Sequence, residues 1–304
     1  MATKLQRDRG SAPLQTVPKP GVLSRFTREF ARMPGLVLVS ALFLIGTFVL
    51  FVGADVLAPQ HYAEQDLLAR LAPPIFMGGT SEHWLGADEL GRDLLSRLIY
   101  ATRMSIFVAI AGTTIGAAIG IFLGFVAAHF RGWVEEVIMM LVDFQASIPF
   151  LIVALAVLAF FGNNFVLFVV VMGLNGWETY ARLTRGMVLS AEGRGYVVAV
   201  RTLGARPVRV YGRHILPNIA SALIVQFTLN FPETILLETS MSFLGLGVQP
   251  PLTSLGLMLG AGRDYLITAW WIAVAPGVMI FFTTLSVSIL GDWLRDRLDP
   301  TLKR

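Results

Sequence analysis

Uncharged, mostly apolar stretches recur along the chain at 35–54, from 104 up to Arg131, and at 144–177, 218–232 and 266–291. Crossing the hydrocarbon takes roughly 20 apolar residues per helix. The third stretch, at 34 residues, therefore holds parts of two helices, divided near Gly162, Asn163 and Asn164. The pattern predicts six spans, at about 35–57, 104–131, 133–161, 165–181, 218–240 and 265–290. It reads as an all-α polytopic membrane protein with a basic tail (1–34), a first span with its following loop (35–103), a five-helix core (104–290) and a charged tail (291–304).

Composition agrees: 55% of residues are hydrophobic and only 14% charged, with a mean hydropathy of +0.68, values foreign to a soluble domain of this length. Lysine and arginine assign the sides, because short cytoplasmic loops retain more of them than translocated ones. With the N-terminus inside, the inner segments hold 7, 1, 7 and 4, together 19 of the 24, and the outer ones hold Arg70, Arg92, Arg97, Arg103 and Arg263. The net charge of +4 thus reflects topology and anionic headgroups, with no nucleic-acid footprint. Residues 1–33, basic and proline-containing, have the composition of a disordered cytosolic tail. The apolar run after them is too long for a secretory signal and reads as a retained anchor.

The longest polar interruption of the core is 182–214, which carries seven arginines, no lysine and a single acid, Glu192. Within it, around YVVAVRTLGA (196–205), some 12 to 15 residues can form a short helix, Gly204 permits a sharp change of direction, and Pro207 suits the first turn of a second helix. Pro217 then begins the fifth span. A helix lying along the membrane here could pass a push from a cytosolic partner into spans four and five. Topology alone would account for the arginines but leave the Gly204 to Pro217 punctuation unexplained.

Elsewhere the chain is less specific. Gly112, Gly116, Gly120 and Gly124 place a glycine on every fourth residue of the second span, a stripe for close helix packing within this subunit or against a partner. Leu90, Leu94, Leu95 and Leu98 oppose Arg92, Asp93, Ser96 and Arg97, which predicts an amphipathic helix lying at the interface or packed on the protein. Asp143, Glu178, Glu233 and Glu238 are charges inside spans, where carboxylates are costly and mark pathways or structural pairs. Asp143 and Glu178 lie within reach of Arg182 or Arg185. Glu233 and Glu238, five residues apart, face different sides of one helix. The uncharged, Gly- and Pro-rich 239–251 is expected to be an outer loop or re-entrant piece.

Catalytic chemistry is sparse. The lysines lack any P-loop context, the four histidines show no metal spacing, and there is no cysteine. The chain is expected to be no enzyme and to hold no cofactor or metal.

Five segments in order, HWLGADELGRDLLSRLIY (83–100), GWETYARLTRG (176–186), the 196–218 loop, SFLGLGVQPP (242–251) and GDWLRDRLDP (291–300), together resemble the C-type permease of dipeptide/oligopeptide ABC importers. The 196–218 loop resembles that family's "EAA" loop, in which a glycine follows the first motif position by six residues and Leu-Pro follows twelve later. Here those positions are Val198, Gly204, Leu216 and Pro217, with Ala199, Val200, Arg201 and Ala205 beside them. Val198 and Val200 replace the family's glutamate and second alanine, and SLGLM (254–258) replaces its Ser-Trp-Gly-x-Met. The resemblance implies the six-helix type I importer architecture with a cytosolic coupling helix, in the bacterial cytoplasmic (inner) membrane with both termini inside. It also implies one half of a heterodimeric pore, paired with a B-type permease, two cytosolic subunits that bind ATP and Mg²⁺, and an extracytoplasmic substrate-binding protein. Relatives of this kind move dipeptides, longer peptides, glutathione or nickel chelates. From the residues alone, an ion-coupled secondary transporter using the four carboxylates as relays stays open, although no internal repeat supports it, as does a membrane scaffold.

Overall fold

The structure is a computed structural model and describes residues 33–298. The expected disordered tail and the last residues of the 291–304 tail lie outside the described residues.

All regular structure among the described residues is helical. The longest apolar helices are α1 (Gly35–Leu57), α2 (Leu94–Phe130), α8 (Leu216–Phe243) and α10 (Trp271–Leu298). Each crosses a membrane alone on length and hydropathy, α8 with the turns leading into it from residue 207. The third expected span is two helices, α3 (Gly132–Ser147) and α4 (Phe150–Phe161), bent by 89° at the break. Pro149 is the cause: it pushes the residue before it out of the helical region, and Ile148 sits at φ −110°, ψ 131°. The expected fourth span is likewise interrupted, α5 (Phe165–Gly173) giving way at 174–176 to α6 (Trp177–Glu192). Among the described residues, four helices, or five spans if the bent α3–α4 pair is counted as one, are thus long and apolar enough to cross a membrane, and the interrupted α5–α6 stretch adds no further one on those grounds.

The amphipathic segment around Leu94 differs from expectation. It is no separate interfacial helix but the first turns of α2, whose 37 residues at about 1.5 Å each extend well past a hydrocarbon layer of ~30 Å. Asp93 starts α2 by accepting the Ser96 amide at 2.8 Å, the usual N-cap arrangement. Arg97 on the polar side is buried, paired with Asp88, which also accepts from Arg92 Nε at 2.7 Å. These pairs tie the end of the 58–93 loop to the start of α2, and Trp271 Nε1 donates to the Ala87 carbonyl at 3.3 Å, tying it also to α10.

The glycine stripe faces α5 and α6 of the same chain. A methyl on Gly120 would lie 2.2 Å from the Trp177 carbonyl oxygen and 2.6 Å from Tyr180 Cβ, and one on Gly124 would lie 2.7 Å from the Ala181 carbonyl oxygen. Gly112 meets Met172, and Gly116 meets the carbonyls of Asn175 and Gly173. Missing side chains let two backbones touch where lipid supplies no hydrophobic drive for association. This contact fixes α6, and through it the loop that follows.

On the opposite face from the arginine-rich loop, α8 runs to Phe243, three residues beyond the expected end. The chain then turns through 244–254 into a short helix, α9 (Leu255–Gly262), capped by Ser254. The last span begins at Trp271, later than the expected 265; residues 263–265 form a separate 3₁₀ turn.

Candidate functional site

The arginine-rich loop is built from α6 outward. Tyr180, Thr184, Val188 and Ala191 are buried on one face of α6, while Arg182 reaches Asp143 at 2.9 Å and Arg185 pairs with Glu135, both acids belonging to α3. After Gly193 the chain reverses into α7 (Gly195–Thr202), eight residues, shorter than the 12 to 15 expected. Val197 is the buried anchor of α7, and Val200 and Ala205 pack partly into the same cluster as Val210, Ile215 and Ile219.

Gly204 ends α7. Its φ of +79° lies in the left-handed region that a side chain disfavours. The Ala205 amide donates to the Val200 carbonyl at 3.3 Å and the Gly204 amide to Arg201 at 2.9 Å, the paired bonds of a Schellman cap. Pro207 then opens a helical turn, Pro207–Arg209, where its missing N–H costs nothing. Val210–Ile215 forms a π turn, closed by the Leu216 amide on the Tyr211 carbonyl. Pro217, in the first turn of α8, donates no backbone hydrogen bond.

The outer side of this corner is apolar and open. Val198 is 52% exposed, Leu203 87% and Val208 83%. Arg194, Ala199, Arg201, Arg206 and Arg209 are exposed around them. These apolar groups lie on a charged polar loop, and exposed apolar patches of this kind mark interaction surfaces.

Behind that surface Glu192 gathers three partners. It accepts from Arg131 Nη2 at 2.7 Å, from the Arg201 guanidinium, and from the Tyr211 hydroxyl at 3.0 Å. His129 Nδ1 stands 3.0 Å from that hydroxyl. Burial pushes the Glu192 carboxyl up, but the hydrogen bonds from Arg201, Arg131 and Tyr211 outweigh it and hold it below its ordinary value.

The four carboxylates of the spans do not meet at one point. Asp143 is on the exposed side of α3 with Arg182. Glu178, in the first turn of α6, has one buried carboxylate oxygen with no partner. Glu233 is exposed and accepts from Asn230 Nδ2 at 3.3 Å. Glu238 is fully buried: Ser105 Oγ donates to it at 2.9 Å and Ser242 Oγ at 2.7 Å, while those hydroxyls accept the amides of Leu255 and Val248 at 3.1 Å each. Glu238 therefore locks α2, α8 and the turn before α9 together. Ser105, Ser242, Glu135 and the bridging role of Glu192 carry no local sequence signal beyond Glu192 being the lone acid among arginines. Among the described residues no group of three or more acids or histidines is placed to hold a metal.

Comparison with known proteins fits this architecture. Residues 120–304 match the family model described as binding-protein-dependent transport system inner membrane component. The chain is 38% identical to the di/tripeptide transport system permease protein of Pseudomonas aeruginosa, over 96% of each chain. It is 35% identical to the glutathione transport system permease protein of Pectobacterium atrosepticum, over 91% of each, and 34% identical to the dipeptide transport system permease protein of Bacillus subtilis, over 88% of this chain and 83% of that one. Among solved structures, one described as inward facing conformations of the MetNI methionine ABC transporter shares the fold, with a TM-score of 0.54 at 17% identity over 68% of this chain and 98% of that one. On a family match spanning more than half its length and on relatives aligned nearly end to end, the chain belongs to the binding-protein-dependent transport system inner membrane components.

Proposed function

We propose that this chain is one half of the pore of an ATP-driven importer of short peptides in the bacterial cytoplasmic membrane, with α7 seated on a cytosolic ATPase subunit. The observation that carries the proposal is the open apolar face at Val198, Leu203 and Val208, ringed by arginines and backed by a packed corner leading directly into α6 and α8. The 19-to-5 distribution of basic residues supports placing that face, and both termini, in the cytosol. Val198 stands where the family carries a glutamate, so the contact with the ATPase at that position is apolar. Gly204, Leu216 and Pro217 retain the bend and the start of the span.

The remaining partners are a homologous B-type permease, a second ATPase and an extracytoplasmic binding protein. ATP and Mg²⁺ belong to the ATPases. Closing of the ATPases moves α7, and the α6 and α8 ends follow because the same cluster holds all three. Peptides are the favoured cargo because aligned relatives carry dipeptide, di/tripeptide and glutathione names, and glutathione is itself a tripeptide. The test is uptake of a radiolabelled dipeptide into proteoliposomes holding the complete assembly. The proposal predicts transport that requires ATP, both ATPases and the binding protein, and that unlabelled dipeptide suppresses better than a nickel chelate. Uptake by this polypeptide alone, or none by the complete assembly, would refute it.

A further inference from the structure

We infer that Glu192 is a positioning residue that links α7 to the far end of α2 and to the start of α8, so that displacement of α7 moves both. This rests on the reading that α7 docks an ATPase. The linkage is geometric. Arg131 lies at the corner between α2 and α3, Arg201 in the last turn of α7, and Tyr211 in the π turn leading into α8. All three donate to one carboxylate, whose side chain is only 8% exposed.

The end of α2 and the π turn touch where His129 Nδ1 stands 3.0 Å from the Tyr211 hydroxyl, and beside that contact a pocket of about 460 Å³ is lined by Arg131, Glu192, Arg201, Pro207 and Val210 among others. The Glu192 carboxylate holds Arg131 and Arg201 together at this pocket, and charge-assisted hydrogen bonds fix direction as well as distance. The chain spends its single acid of 182–214 at the point where three elements need a common acceptor.

The test uses the complete assembly in proteoliposomes and reads ATP hydrolysed per peptide imported. Glu192→Ala is expected to raise that ratio about fivefold to tenfold, through the loss of three charge-assisted bonds, two of them from partly exposed arginines. Glu192→Gln, which still accepts, falls between wild type and Glu192→Ala. Tyr211→Phe, removing one hydroxyl and little packing, raises the ratio about twofold and keeps the test decisive should Glu192→Ala fail to assemble. Arg131→Gln combined with Glu192→Ala should be no worse than Glu192→Ala alone, since both act through one carboxylate. A wild-type ratio in either assembled Glu192→Ala or Tyr211→Phe would overturn the inference. So would loss of the ATPases from purified Glu192 variants, which would make Glu192 a docking group. If the unmodified chain bound no ATPase, the docking reading itself would fail.

Discussion

Gly120→Ala and Gly186→Ala are chemically the same change, and the structure gives them opposite signs. At Gly120 the new methyl would stand 2.2 Å from the Trp177 carbonyl oxygen and 2.6 Å from Tyr180 Cβ. Backbone cannot rotate away, so α2 and α6 must separate. Overpacking of this kind costs about 1–3 kcal/mol, and the upper end applies where the obstacle is a main-chain carbonyl. Alanine's better helix propensity returns about 1 kcal/mol, leaving a net destabilisation of about 2 kcal/mol. Gly186 sits on the exposed side of α6 with nothing within 4 Å of a new methyl. There only the propensity gain applies, and Gly186→Ala is expected to stabilise by up to about 1 kcal/mol. The two variants should therefore differ by about 3 kcal/mol in reversible detergent unfolding followed by circular dichroism. Equal stabilities, or Gly120→Ala matching wild type, would show that α2 and α6 do not approach as described.

Three further outcomes follow from named groups. Gly204→Trp forces a side chain into a φ of +79°, breaks the cap of α7 and is expected to cut ATP-dependent uptake at least about tenfold, a loss of roughly 1.4 kcal/mol in coupling; undiminished transport contradicts it. Glu238→Ala strands the buried hydroxyls of Ser105 and Ser242 and should destabilise by about 1–3 kcal/mol per stranded group, with Glu238→Gln milder; differential scanning fluorimetry reads both. The Glu192 carboxyl lies below its ordinary value of 4.5. A depressed acid contributes above its unfolded value and is lost as pH falls through its folded one. The ATP-to-peptide ratio of the assembly should thus stay flat across neutral pH, and a step near neutrality would contradict the pairing.

Legibility in the sequence followed the range of the forces involved. Hydropathy and lysine-arginine bias are properties of whole segments, and the 35–57 span and the division at Gly162 to Asn164 emerged from them. Pro149 was visible, yet a proline within an apolar run does not announce an 89° bend; tertiary contacts set the angle. The amphipathic pattern around Leu94 marks a helix but not its continuity with the following span, and nothing local shows that Asp88, nine residues before Arg97, pairs with it in a buried site. In the candidate site, Gly204, Pro207 and Pro217 act through their own backbone and were readable. The Glu192 bridge joins residues 61, 9 and 19 positions away, and the Ser105–Glu238 bond spans 133. No local pattern encodes such pairings.

The proposed function requires the corner carrying Leu203 to face the cytosol and touch an ATPase. Because the chain has no cysteine, Leu203→Cys supplies a single thiol at the most exposed apolar position of that corner. In intact cells this thiol is expected to resist membrane-impermeant maleimide, and in membranes to cross-link to the ATPase subunit with a yield that changes on adding ATP. Labelling from outside the cell, or cross-linking only to other partners, would contradict it.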